Sequence, residues 1–328
     1  MKVLHILGSH GMGWTGGIHA SLASLAQTRL SSWVEFKLVT QEQLKATIKT
    51  WQPDLLVLNQ ASSWRNIPDV FTLKAKARIL VEHHYSDGFE QHQVPSSWRF
   101  RAMLRLKYRL MDRVVTISKG QQYWMQSNRL VAQEKVRLIC SSRDLDQFFQ
   151  VPEKTKPEEL FTLAAYGRFT HQKGFDCLIE ALQLLPVGSV QLLLGGQGQD
   201  EQLLKAKALN HSHIHFLGKI DDVAEFLNRC DAVVIPSRWE PWGNVCLEAR
   251  AAARPVLVSD VDGLSEQAQN CGISFEPDSS EALADGIRQM MNASVTQRQS
   301  WGRQGRLSTT HAWDDYVNAW EQVLREFK

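Results

Sequence analysis

The feature that most restricts how this chain can fold is a repeated alternation. Short apolar runs are followed by longer stretches with helical periodicity from one end of the sequence to the other. Apolar runs without polar alternation suit strands buried on both faces, and intervening helices supply the crossovers that parallel strands need. The class read from this pattern is α/β. In the first half the strands are predicted at 3–7, 35–39, 54–58, 77–81, 113–117 and 136–139. The stretch VPEKTKPEE at 151–159 is polar and carries two prolines, which break helix and strand alike, so it reads as a linker. A second series follows at 161–166, 190–194, 213–216, 232–235, 255–258 and 273–275. The chain therefore reads as two Rossmann-like halves, and its 328 residues suit two domains. Near the end, Trp313, Tyr316, Val317, Trp320, Val323 and Leu324 recur at helical spacing and predict an amphipathic helix with one apolar stripe.

Composition narrows the function classes. The 37 basic and 35 acidic residues leave a net charge of +2, so no overall field favours nucleic acid. Cys140, Cys177, Cys230, Cys246 and Cys271 lie far apart, with no CxxC pair and an odd count. That usage fits free, packed thiols in a reducing compartment. The apolar run at the N-terminus is too short for a signal peptide and ends in glycines, as a first strand would. No run reaches the roughly 18 apolar residues of a membrane span. The expected location is the cytoplasm or the cytoplasmic face of a membrane.

Three segments can carry chemistry. After the first strand comes GSHGMGWTGG, with Gly16 and Gly17 opening a helical pattern from Ile18 to about Arg29. Glycines there let backbone amides and a helix N-terminus approach an anion such as a diphosphate; the alternative is a tight turn that only permits helix–sheet packing. In the second half Arg168 follows a strand and Lys173 stands five residues on, before Gly174 and a helix. Two cations there suit a phosphate clamp in an open α/β sheet, or are solvated surface charges. The richest stretch is PSRWEPWGNVCLE at 236–248. Glu240 lies on a loop after a strand, and Glu248 lies inside a helix that begins near Asn244. Two carboxylates near one helix start can bond sugar hydroxyls, and the amides of Gly243, Asn244 and Val245 can hold an anion.

Taken together, Gly167-Arg168-Phe169 with Lys173-Gly174, Gly195-Gly196-Gln197-Gly198, Phe216-Leu217-Gly218 and the Glu240-x7-Glu248 loop resemble the retaining GT-B glycosyltransferases of glycosyltransferase family four. The resemblance covers nearly all of 160–280 and extends, more weakly but in register, across 1–150. It implies two Rossmann-like domains facing each other across a cleft. The first, 1–150, would bind the acceptor and be completed by the helix 313–328; the second, 160–310, would bind a nucleotide sugar. It further implies that Arg168 and Lys173 neutralise the donor diphosphate, so that no metal or other cofactor is required. Glu248 would bind the ribose, while Glu240 and the backbone of Trp242 and Gly243 would hold the transferred sugar. The family pattern has phenylalanine where this chain has Trp242. Contacts near Gly218 would help to select the donor.

In the first half the strand 77–81 leads into Glu82-His83-His84-Tyr85. The resemblance places a histidine at this strand end near the reacting sugar; His83 is the choice and His84 the fallback. The Asp112–Ser118 segment resembles the family's strand and serine turn and is assigned a structural role. His211, His213 and His215 alternate but have no carboxylate or cysteine partner in the sequence nearby, so no metal site is expected. Between 98 and 113 arginines and a lysine interleave with apolar residues. Such a helix either lies on an anionic membrane surface or is buried with a solvated charged edge.

The function expected is therefore a retaining glycosyltransferase. It would move a hexose-type sugar from a nucleoside-diphosphate sugar to a glycan or lipid-linked acceptor in cell-envelope polysaccharide or glycolipid synthesis. The alternatives are a nucleotide-sugar epimerase of the same fold and a non-catalytic partner subunit.

Overall fold

The computed structural model describes residues 1–8, 17–73, 75–154 and 160–328. The chain forms two compact units, Met1–Arg143 with Trp313–Lys328, and Asp144–Ala312.

The first unit holds six parallel strands, β1 (Lys2–Leu7), β2 (Glu35–Thr40), β3 (Leu55–Leu58), β4 (Ala77–Glu82), β5 (Arg113–Thr116) and β6 (Val136–Leu138). Their order is β2-β1-β3-β4-β5-β6. All four residues of β3 are fully buried, as its uninterrupted apolar run requires. Leu104 and Tyr108 from the helix Ser97–Arg109, and Trp124 and Met125 from the helix Lys119–Ser127, pack with Leu4, Leu56, Leu58 and Leu80 of the sheet. Ser118 is a buried N-cap whose hydroxyl accepts the Gln121 amide, so the serine turn after β5 shapes the chain locally.

The first helix differs from expectation. It spans Gly17–Leu25 and does not run on to Arg29. Thr28 instead caps a separate short turn, Arg29–Ser32, its hydroxyl accepting the Leu30 amide. A threonine that bonds backbone in this way competes with helix continuation. The last helix, Ala312–Arg325, buries Tyr316, Val317, Trp320, Val323 and Leu324 in the first unit, and its Trp320 ring stands edge-on to His5 of β1 at 5.6 Å.

The second unit repeats the plan with β7 (Phe161–Tyr166), β8 (Val190–Gly195), β9 (Ile214–Gly218), β10 (Ala232–Ile235), β11 (Val256–Ser259) and β12 (Gly272–Phe275), again all parallel. The order is β12-β11-β10-β7-β8-β9. Apolar residues of these strands divide between two clusters, one on each face. Val151, at the head of the polar prolyl stretch, is buried in one of them, and 155–159 lie outside the described residues.

Candidate active site

In the second sheet β7 has β8 on one side and β10 on the other, so successive crossovers leave it in opposite directions. A crevice opens at the carboxyl ends of the strands at such a reversal. The loops that follow β7 and β10 meet there. Gly174 adopts a left-handed φ of 63°, and a Cβ on it would fall 2.0 Å from the Pro236 carbonyl oxygen. Only glycine lets the two backbones approach this closely. The Arg238 amide donates to the Gln172 carbonyl at 2.8 Å, and the Gln172 side-chain amide donates to the Trp239 carbonyl at 3.0 Å.

That suture sets Lys173 directly on Glu240 in a short ion pair. Glu240 is almost buried; the Ser237 hydroxyl donates to the same carboxylate oxygen at 3.2 Å, and its own amide donates to Asp262 at 3.0 Å. Behind it, Arg238 is buried and forks onto both Asp176 oxygens at 2.9 Å while reaching Asp278 at 2.6 Å. Burial pushes the Asp176 carboxyl up, but the Arg238 guanidinium outweighs that and holds it below its usual value. Arg168 is exposed and meets no side-chain partner among the described residues.

Gly243 precedes the helix Asn244–Ala251 with φ of 97°, and a Cβ on it would lie 2.6 Å from a Leu264 methyl. The amides of Asn244 and Val245 find no acceptor among the described residues, which leaves the positive end of the helix open. Two buried polar atoms beside them, Trp242 Nε1 and Asn244 Oδ1, are also unpartnered. Gln267 holds this loop by donating to the Trp242 carbonyl at 2.6 Å. One turn into the helix, Glu248 is buried and accepts the Tyr166 hydroxyl at 2.7 Å. Gly218 ends β9 with φ of 67°, and its carbonyl accepts the Gly196 amide at 2.6 Å. The structure thus gathers Lys173, Glu240, Trp242, Gly243, Asn244, Val245 and Glu248 around the β7–β10 reversal, whereas Gly218 stands two strands away.

In the first sheet the order reverses between β1 and β3. Asn59, just past β3, connects what stands at these strand ends. Its side-chain oxygen lies 3.1 Å from His83 Nε2, and its amide nitrogen donates to the Val57 carbonyl at 3.2 Å and lies 3.4 Å from His5 Nδ1. With the amide so oriented, His83 carries its proton on Nε2 and presents Nδ1 as an acceptor. Burial drives both imidazoles down, His83 to about 3 and His5 to about 3, so both rings are neutral. His84 Nε2 lies 3.3 Å from the Asn59 carbonyl. Glu82 is buried and pushed up to about 7 by desolvation, although the amides of His84 and Tyr85 and the Tyr108 hydroxyl donate to it. Gly17 is the first residue of its helix, with its carbonyl accepting the Ser21 hydroxyl at 2.9 Å; Gly16 lies outside the described residues.

Sequence reasoning passed over Asn59, Tyr166 and the Arg238 fork. The first two carried a signal, since a polar residue ends an apolar strand run in each case. The fork had none, because Asp176 and Asp278 are far from Arg238 in sequence. Among the described residues no group of three or more His, Cys, Asp or Glu is placed to hold a metal ion, His211, His213 and His215 included. None of the described helices is long and apolar enough to cross a membrane.

Comparison with known proteins gives the family. The model of the glycosyl transferases group 1 family matches residues 146–308. Glycogen synthase of Mycobacterium tuberculosis is 32% identical over 180 residues, which is 52% of this chain but only 43% of that protein. The lipopolysaccharide core biosynthesis glycosyltransferase LpsD of Rhizobium meliloti is 36% identical over 291 residues, 81% of this chain and 80% of LpsD. Among solved structures, Anabaena HepE in complex with UDP and glucose superposes with a TM-score of 0.77 over 99% of both chains at 19% identity, a likeness of GT-B fold. With a family match on the unit that carries the Lys173–Glu240 site, and a relative aligned along four fifths of its length, the chain belongs to the glycosyl transferases group 1 family.

Proposed function

We propose that this chain transfers a hexose-type sugar from a nucleoside-diphosphate sugar to a glycan or lipid-linked acceptor, with retention of configuration and without a metal ion. The observation that carries the reading is the Lys173–Glu240 pair beside the open helix start at Asn244. Before donor binds, each member of the pair satisfies the other. A diphosphate arriving at these strand ends competes for the ammonium and frees the Glu240 carboxylate to accept sugar hydroxyls. The cation and the acceptor are thus exposed together, by the ligand that needs both.

As the sugar departs, charge accumulates on the leaving diphosphate. In this reading Lys173, Arg168 and the amides of Asn244 and Val245 stabilise that charge more than the ground state, which is what accelerates the step. The departing phosphate then assists attack from the same face. Glu248, which accepts the Tyr166 hydroxyl, is the carboxylate for the ribose, and Trp242 Nε1 and Asn244 Oδ1 add one donor and one acceptor to the pocket. In the first unit, His83 Nδ1 offers an acceptor for a sugar hydroxyl. Envelope polysaccharide or glycolipid assembly as the setting draws on LpsD, named for lipopolysaccharide core biosynthesis.

The test is calorimetric titration with uridine, guanosine and adenosine diphosphates and their sugar conjugates in EDTA, uridine first because HepE was solved with UDP. Saturable binding of one sugar nucleotide in EDTA is the expected result. Binding that appears only when a divalent cation is added would refute the metal-free clamp.

A further inference from the structure

We infer that Gln267 and Arg250 are positioning residues which, on the reading that a nucleoside diphosphate binds at the helix start of Asn244, aim the Gly243 amide at it. Gln267 is buried at the end of the helix Asp262–Gln267. Its Nε2 donates to the Trp242 carbonyl at 2.6 Å, and more distantly to that of Gly243 at 3.5 Å. The peptide joining Trp242 to Gly243 is trans, so its N–H points opposite to its C=O. The Gly243 amide is therefore turned away from Gln267, and like those of Asn244 and Val245 it finds no acceptor among the described residues.

Arg250 decides which way round the Gln267 amide stands. Its Nη1 donates to Gln267 Oε1 at 3.1 Å. A guanidinium only donates and a carbonyl only accepts, so a flipped amide would oppose two donors at one end and two acceptors at the other. One arrangement is left, with the guanidinium on the amide oxygen, the amide nitrogen on the Trp242 carbonyl, and the Gly243 N–H beyond. The dipoles of this chain run head to tail, and each bond polarises the next. Its positive end is the Gly243 amide.

The charge at the other end has no counter-ion. Arg250 is buried in the last turn of the helix Asn244–Ala251 and pairs with no carboxylate among the described residues. Its Nη2 donates to the Ser308 hydroxyl at 2.6 Å, and its Nε has no partner. Burial pushes the neighbouring Cys271 thiol up against the pull of Arg250, so the thiol stays neutral. Arg238 in the same unit shows the compensated case, a buried guanidinium held between Asp176 and Asp278. A buried cation left unpaired is costly. Through Gln267 and the 242–243 peptide, the diphosphate supplies the anion that Arg250 lacks, and the leaving group gains most because its charge is greatest.

Calorimetric titration of the full chain and its variants with uridine, guanosine and adenosine diphosphates and their glucose conjugates tests it. The free diphosphate carries terminal charge that the conjugate lacks, so loss of the relay weakens the diphosphate more. Gln267→Glu still accepts from Arg250 but cancels its charge and offers the Trp242 carbonyl no donor. It is expected to lose about tenfold in diphosphate affinity and about twofold or less in conjugate affinity, with a melting temperature no lower than the parent's. Arg250→Met acts in the same sense, and Arg250→Lys, which keeps a charge, recovers most of the loss. Ser308→Ala removes the other bond of Arg250 and leaves diphosphate affinity unchanged, because the relay does not pass through it. Parent-like diphosphate affinity in Gln267→Glu and Arg250→Met overturns the relay. So does an equal loss for diphosphate and conjugate, which marks a role in packing alone, or a selective loss in Ser308→Ala. Should Arg250→Met fail to fold, Gln267→Glu and Arg250→Lys carry the same comparison. A parent that binds none of the diphosphates refutes the donor reading and the relay together, whereas a parent that binds one no better than these variants refutes the relay only.

Discussion

The carboxyl ends of the two sheets present different chemistry on the same parallel plan. At the β7–β10 reversal the functional groups are charged and paired: Lys173 with Glu240, and Arg238 with Asp176 and Asp278. At the ends of β1, β3 and β4 they are neutral and hydrogen-bonded, with Asn59 between His5 and His83, both driven toward their uncharged forms. A sheet end that receives a diphosphate needs fixed cations and carboxylates that can be exchanged. In the proposed reading, the end that offers neutral, directional acceptors suits hydroxyls and not a diphosphate. The family fold does not by itself dictate the difference; the residues that follow each strand do.

The largest effect should come from removing the charge itself. Lys173→Ala is expected to lower turnover by about 10²–10³-fold, the scale for loss of one preorganised donor to developing charge. Steady-state rates with the sugar nucleotide identified by calorimetry would check it, and unchanged turnover would erase the contrast between the two ends. Glu248→Ala should act on binding more than on rate. It is expected to weaken nucleotide affinity about tenfold or more, since hydrogen bonds to a charged group contribute about 1.5–3 kcal/mol; equal affinity by calorimetry would remove the ribose role.

The neutral end can be examined by titration. The His83 ring should stay uncharged down to about pH 3 in a proton NMR titration, well below the ordinary 6.5. A ring that charges near pH 6 would make the two ends alike. The smallest effect concerns Glu82, whose folded value is raised from 4.5 to about 7. The folded chain keeps a proton that the unfolded chain gives up, so stability is lost as pH rises from about 4.5 to about 7 and is level above. Glu82→Gln does not titrate, so its melting temperature should gain on the parent across that window. The desolvated imidazoles of His5 and His83 act oppositely, lowering stability as pH falls below 6.5.

Strand positions were legible because each strand is an apolar run bounded by polar or turn residues, and burial on both faces leaves little freedom in such runs. The last helix was legible for a similar reason, since Tyr316, Trp320 and Leu324 recur at one spacing. The end of the first helix was not, because Thr28 fits a helical pattern until its hydroxyl captures a backbone amide. In the candidate site, residues within one segment, Glu240 through Glu248, could be read together. The contact between Lys173 and Glu240 could not, because it depends on Gly174 meeting Pro236 across 62 residues of sequence. On the helix Ser97–Arg109, charge was visible but not availability: Lys107 and Arg101 look like Arg99 until Asn66 and Glu90 are found beside them.

The helix Ala312–Arg325 buries Trp320 against His5, so the first and last secondary-structure elements of the described chain are neighbours in one core. A ribosome that makes this chain in order has finished every strand of both sheets before the residue that closes the first core has been added. The first unit must wait, incomplete, while the second can already be whole. A nascent chain is therefore exposed longest at β1, and a substitution that removes the Trp320 ring would damage packing against the first strand rather than within the second unit.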